Sequence, residues 1–281
     1  MRILVTNDDG IDAVGIHVLA RAIADAGHDV LVAAPAFDAS GWGAALGRLH
    51  PDNTIGCSAV QIPGLDAPAW AVDGPPGLCV LAANLEAFGP RPDLVVSGVN
   101  IGLNTGRSIL HSGTVGAALT AQNFGLSGLA VSVQSISAEF ATAAAFAVQL
   151  LPLLEAAPAR SVLNLNVPGL PYDEVRGIRW ARLAPFGEVR AAVASAEPLQ
   201  FELRVSEVDF DPDSDEGLVR EGYAAVTALV AVTEAWPGDA ELSEAGDTHL
   251  EAPRLMPGAP VEQTHPFPSV PRRPLHHQGP A

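Results

Sequence analysis

Six short, nearly unbroken apolar runs recur along the first two thirds of the chain. They are RILVT (2–6), DVLVAAP (29–35), AWAVDG (69–74), DLVVSG (93–98), LAVSV (129–133) and SVLNLNVP (161–168). A strand with one wet face alternates apolar and polar residues, whereas a parallel strand covered on both faces reads as a continuous run. Helix-like segments lie between the runs. AVGIHVLARAIADAG places Ile16, Leu19, Ala20 and Ile23 on one face and closes with Gly27. PPGLCVLAANLEAFG opens on prolines, tolerated in a first turn, and closes with Gly89. TVGAALTAQNFG ends at Gly125, and SAEFATAAAFAVQLLPLLEAA is long and apolar, with Pro152 expected to kink or interrupt it. The alternation predicts an α/β fold, a doubly wound sheet with helices on both faces.

The pattern changes after Pro168. LQFELRVSEVDF alternates and reads as an antiparallel strand or hairpin, and EGYAAVTALVAV reads as a further strand. These form a C-terminal β-rich extension or arm, of a kind used in assembly. From Pro253 onward there are eight prolines, few aliphatics and no periodicity, too little apolar content for a core. The expected division is a catalytic core over 1–185, an extension serving as an oligomerisation arm over 186–250, and a Pro-rich tail over 251–281.

Charge excludes some partners. Acidic residues outnumber basic ones 32 to 15, for a formal net charge of −17, which argues against a nucleic-acid-binding surface. All the basic residues are Arg, so Schiff-base and P-loop lysine chemistry are absent. An anionic substrate must then be attracted locally, by a metal or a helix terminus. Cys57 and Cys79 form no CxxC and read as small core residues in a reducing compartment. The chain opens on a strand-like run without a signal-peptide pattern and has no apolar run of transmembrane length. A cytoplasmic protein without membrane contact is expected.

Three stretches follow predicted strand ends, where open α/β sheets bind ligands. In TNDDG, Asp8 and Asp9 can both stay ionised if a hard divalent cation sits between them, although Asn-Asp-Asp-Gly is also good turn chemistry. In PAFDASGWG, Ser40 lies in a Gly-rich loop, and a Ser-Gly pair of this kind is usually only a loop. In SGVNIGLNTGRSILHSGTVGAAL, Asn100 and Asn104 precede a helix opening at Ser112, Gly113 and Thr114. Such a terminus is an anion site, and ordinary N-capping is the alternative. His111 stands beside this loop, and packing is its commoner role. No P-loop, dinucleotide fingerprint or G-x-S-x-G elbow occurs.

The ordered set TNDDGIDAVGI (6–16), APAFDASG (34–41), VDGPPGLCV (72–80), DLVVSGVNIGLNTG (93–106), SGTVGAA (112–118), LNLNVP (163–168) and DSDEGLVREGYAAVTAL (213–229) resembles the SurE (survival protein E) family of metal-dependent nucleoside monophosphate phosphatases. The resemblance implies one divalent cation per site, Mg²⁺ or Mn²⁺, on Asp8, Asp9, Ser40 and Asn100. It places Asn104, Ser112, Gly113 and Thr114 at the substrate phosphate. It also implies a three-layer αβα, Rossmann-like core on a mostly parallel sheet, and a homodimer or tetramer with exchanged C-terminal arms. Asp8 and Asp9 are then the catalytic pair of a 5′/3′-nucleotidase-type phosphomonoesterase that uses a metal-activated water, with a small phosphate ester, a nucleoside monophosphate, as its substrate.

The surrounding residues depart from the family pattern. Gly74-Pro75-Pro76-Gly77-Leu78-Cys79 replaces Gly-Thr-Pro-Ala-Asp-Cys, and Ala44, Ala45 and Gly47 replace hydroxyl residues. His111 replaces a Tyr, Leu119-Thr120 lacks an acid, and Thr227-Ala228-Leu229 replaces Thr-Pro-Leu. Two alternatives follow: a phosphatase for a specialised metabolite phosphate, or a non-catalytic anion-binding homologue.

Overall fold

In the computed structural model, residues 1–49, 54–134, 139–187, 189–196, 199–205 and 209–233 are described. The chain runs β1 (Arg2–Thr6), α1 (Val14–Asp25), β2 (Asp29–Pro35), β3 (Cys57–Val60), β4 (Ala69–Val72), α2 (Pro76–Asn84) and β5 (Leu94–Ile101). It continues through α3 (Gly113–Asn123), β6 (Ser127–Val133), α4 (Phe140–Ala156), β7 (Val162–Val167), β8 (Ile178–Trp180), β9 (Val189–Ala196), β10 (Leu199–Val205), α5 (Asp215–Arg220) and β11 (Ala224–Leu229). Nine strands form one sheet in the order β3-β4-β2-β1-β5-β6-β7-β11-β8. Neighbours are parallel except where β3 meets β4 and β11 meets β7.

The continuous apolar runs have a direct cause. Successive side chains of a strand point to opposite faces, and here both faces are covered. Ile3 and Val5 of β1, Val30 and Val32 of β2, and Leu94 and Val96 of β5 pack in one core with Ile16, Leu19 and Ile23 of α1 and Leu150, Leu151 and Leu154 of α4. The residues between them, Leu4, Leu31 and Val95, face the other way onto Leu78, Cys79, Val80, Ala117 and Ala121 of α2 and α3. The result is the expected three-layer α/β architecture.

Several expectations are corrected. Pro152 does not interrupt α4, which is continuous from Phe140 to Ala156. The missing N–H forfeits one helical hydrogen bond, but Leu151 and Leu154 on the same turns are buried and hold the last turn to the core. The segment expected to close at Gly89 is helical only to Asn84. Cys57 is exposed on the edge strand β3 rather than a core residue, while Cys79 is buried as expected.

LQFELRV does form a hairpin strand, β10, pairing with β9 in a separate two-stranded sheet. Not all of 186–250 stands apart, however, because β11 lies between β7 and β8 in the central sheet. Residues 234–250 and the tail 251–281 lie outside the described residues.

Pro152 is exposed, so its ring contributes little packing. Pro152→Ala restores an N–H to the helix without opening a cavity and should stabilise the protein by about 1–3 kcal/mol. A urea melt would read this as a higher midpoint, and a lower one would contradict it.

Candidate active site

The strand order reverses between β1 and β5. β1 leads to β2 on one side, and the chain later crosses to place β5, β6 and β7 on the other. A crevice opens at such a switch point, at the carboxyl ends of the strands. Asp8 and Asp9 follow β1, Ser40 follows β2, and Asn100 lies near the end of β5, so the three parallel neighbours deliver all four to one edge.

The turn after β1 is built by Asn7, whose side-chain amide donates to the Gly10 carbonyl at 2.9 Å. Asp8 is then driven inward and is 3% exposed. It meets the first turn of α3, where the Thr114 hydroxyl donates to its Oδ1. Gly113 is required at this contact, since a Cβ there would lie 2.7 Å from the Asp8 carboxylate. Burial pushes the Asp8 carboxyl up, opposed by the Thr114 hydroxyl and by the backbone N–H groups of Thr114 and Gly113.

Asp9 has no comparable relief. Burial, the Asp8 charge and the Asp38 charge all push its carboxyl the same way, to about 7. Asp38 stays ionised, its carboxyl held low by the Ser40 hydroxyl and backbone N–H. The loop carrying it is tied to the site by a hydrogen bond from Ala39 N–H to the Asp8 carbonyl at 2.7 Å.

These residues suit a hard cation. Ser40 spends its hydroxyl hydrogen on Asp38 at 2.6 Å, which leaves its oxygen lone pairs. Asn100 spends its amide hydrogens on the carbonyls of Gly102 and Ile101, at 2.7 and 3.2 Å, which leaves its Oδ1. Among the described residues no group of three or more His, Cys, Asp and Glu could hold a metal. A divalent ion here therefore depends on these neutral oxygens beside the two carboxylates, an all-oxygen donor set.

The expected phosphate residues are occupied in part. Ser112 caps α3, its Oγ accepting from Val115 N–H at 3.1 Å, and Thr114 serves Asp8. The Asn104 side chain donates to Ser132 Oγ at 2.9 Å. Its backbone is clamped by β7: its N–H donates to Asn166 Oδ1 at 2.8 Å, and its carbonyl accepts from the Asn164 and Asn166 amides at 2.8 and 2.9 Å.

Sequence reasoning assigned no role to the buried acids Asp215 and Glu216. Asp215 accepts from the N–H groups of Gly106, Ala184 and Glu216 at 2.8, 2.9 and 2.9 Å. Glu216 accepts from the Thr105 hydroxyl at 2.8 Å and from Arg220 at 3.0 Å. Together they fix the turn between Asn104 and the 3₁₀ helix Gly106–His111 that leads into α3. Asp38 was also passed over, although it lies two positions before Ser40 in a stretch already singled out.

A family model for "Survival protein SurE" matches residues 3–187. The chain belongs to the SurE family. It is 37% identical over 239 residues to the protein named 5'-nucleotidase SurE of Stenotrophomonas maltophilia (strain R551-3), covering 82% of this chain and 89% of that one. It is 40% identical over 237 residues to the 5'-nucleotidase SurE of Gloeobacter violaceus, covering 82% and 89%. It is 37% identical over 240 residues to the 5'/3'-nucleotidase SurE of Serratia proteamaculans, covering 82% and 90%. The crystal structure of the SurE protein from Aquifex aeolicus superposes with a TM-score of 0.67 at 29% identity, covering 82% of this chain and 93% of that one. SurE membership implies a divalent metal, and the donor set at Asp8 and Asp9 fits one. No helix among the described residues is long and apolar enough to cross a membrane.

Without metal, the folded protein holds the Asp9 proton to about pH 7, against 3.8 for the ordinary group. Folding thus binds this proton more tightly, and the stability it adds is full below about 3.8 and lost as pH rises to about 7. Asp9→Asn removes the dependence. In chelator, the variant's urea midpoint should gain on the wild type between about pH 5 and about pH 8. Parallel midpoints across that range would contradict the assignment.

Proposed function

We propose that this SurE protein is a divalent-metal-dependent phosphomonoesterase that hydrolyses nucleoside monophosphates, of the 5′-nucleotidase type. The observation that carries the reading is Asp8 locked onto the first turn of α3 beside Asp9, whose carboxyl is pushed to about 7, at the sheet's switch point. The names of the relatives support the same activity. Asp8, Asp9, the Ser40 hydroxyl oxygen and Asn100 Oδ1 would hold the cation, Mg²⁺ or Mn²⁺. When bound, such an ion offsets charge on the phosphoryl oxygens and favours the deprotonated form of a water.

The chain's own groups divide the remaining work. Asp8 is fixed by Thr114 and sets the position of its neighbour. Asp9 is the half-buried carboxylate that solvent reaches, which supports a role for it in orienting the attacking water or taking its proton. Ser112 keeps its own O–H and Asn104 a second amide N–H for the phosphate, beside the N-terminal dipole of α3. Arg107, exposed at the start of the 3₁₀ helix, can add a cation at the rim. The β9–β10 hairpin, a sheet of its own, supports an arm that joins subunits into a homodimer or tetramer.

Purified protein should release phosphate from nucleoside monophosphates with Mg²⁺ or Mn²⁺, lose this in chelator and regain it on metal return. Asp8→Asn should lower kcat by at least about 100-fold, since it removes charge from the cation's site. A folded protein that releases no phosphate under either metal contradicts the proposal.

A further inference from the structure

Two large aromatic side chains stand exposed on the loop that carries Ser40. Phe37 is 40% and Trp42 47% exposed, and their rings pair with centroids 5.8 Å apart and planes at 55°. Exposing this much aromatic surface has no stabilising purpose in the folded chain, because burial of such rings is strongly favoured. Their place is specific. Trp42 is two residues from Ser40, so their Cα atoms lie within about 7.6 Å. The Phe37 carbonyl packs over Gly10, the residue after Asp9, 3.3 Å from where a Cβ would sit. Leu110, 73% exposed, lies against the same loop, its carbonyl 3.0 Å from where a Cβ on Gly43 would sit.

The loop's backbone is held in place. Gly43 N–H donates to the His111 carbonyl at 3.2 Å, and Trp42 N–H to the Ala39 carbonyl at 3.2 Å. Gly43 also packs directly on Gly116 of α3, a contact that leaves no room for a Cβ at Gly116. The ring pair is therefore carried on a backbone pinned to the same helix that holds Asp8. A face prepared in this way suits a flat π-system, and stacking on aromatic side chains tolerates any base.

We propose that Phe37 and Trp42 form the subsite for the leaving group of the phosphate ester and select esters whose alcohol carries an aromatic ring, the nucleobase of a nucleoside monophosphate. This rests on the phosphatase reading, and it assigns the selectivity to two residues outside the proposed ligand set. A nucleoside 5′-monophosphate holds its base one sugar away from its phosphorus, and the subsite lies one short loop away from Asp8 and Asp9.

The test compares AMP with ribose 5-phosphate, which has the same phosphate and sugar but no base. Both kcat/KM and the dissociation constant are measured with Mn²⁺, for wild type, Trp42→Ala and the Phe37→Ala/Trp42→Ala pair. Circular dichroism confirms folding. Wild type should prefer AMP by about tenfold or more in both readouts, and the double variant should bring that ratio close to unity. An unchanged ratio in the variants overturns the proposal, as does a wild type that binds the two esters equally. If neither ester is hydrolysed, the phosphatase reading fails, and the ratio of dissociation constants still decides the subsite. A variant with altered oligomeric state by light scattering and an unchanged AMP ratio assigns the rings to a contact between copies, which also overturns it.

Discussion

The turn after β1 places two carboxylates in succession at a buried strand end, and like charges in that setting repel strongly. Two unit charges 4 Å apart at an effective dielectric of 20 interact by about 4 kcal/mol. The surroundings answer this unevenly. Asp8 receives the Thr114 hydroxyl and the N-terminal turn of α3, with Gly113 small enough to let the helix approach. Asp9 is pushed up first by burial and then by the negative charges of Asp8 and Asp38, and its carboxyl rises to about 7. Burial and two like charges set Asp9 against ionisation, and a cation held between the carboxylates would offset all three.

Distant parts of the chain keep that arrangement in register. Asn164 and Asn166 of β7 clamp the backbone of Asn104. Asp215 and Glu216, from α5, reach the Thr105–Gly106 turn. The short helix Gly106–His111 then delivers Ser112 to the start of α3 and hence Thr114 to Asp8. The late segment thus does two things: β11 extends the central sheet, and α5 braces the loop that leads into α3.

What could be read from sequence follows from how local each signal is. β1, β2 and β7 were legible because burial on both faces leaves continuous apolar runs. The short strands β3 and β8 were not, since partial exposure removes that signal. Asp8, Asp9, Ser40 and Asn100 could be named together only through the ordered motifs that resemble SurE, and each follows or ends a recognisable strand. The partnership of Thr114 with Asp8 spans 106 positions, and those of Gly106 with Asp215 and Thr105 with Glu216 span 109 and 111. No local pattern carries such pairs. Reading the α3 terminus as a phosphate cradle therefore passed over the carboxylate that already rests on it.

In the proposed site the Asp8–Asp9 pair would hold a divalent cation in exchange for a proton. Titration calorimetry of metal-free protein with Mn²⁺, in buffers of different ionisation enthalpy at about pH 6 and about pH 8, tests it most directly. One ion per chain is expected, with proton release at the lower pH that fades at the higher one, and loss of binding in Asp8→Asn. Absence of binding at either pH, or binding that survives Asp8→Asn unchanged, would contradict it.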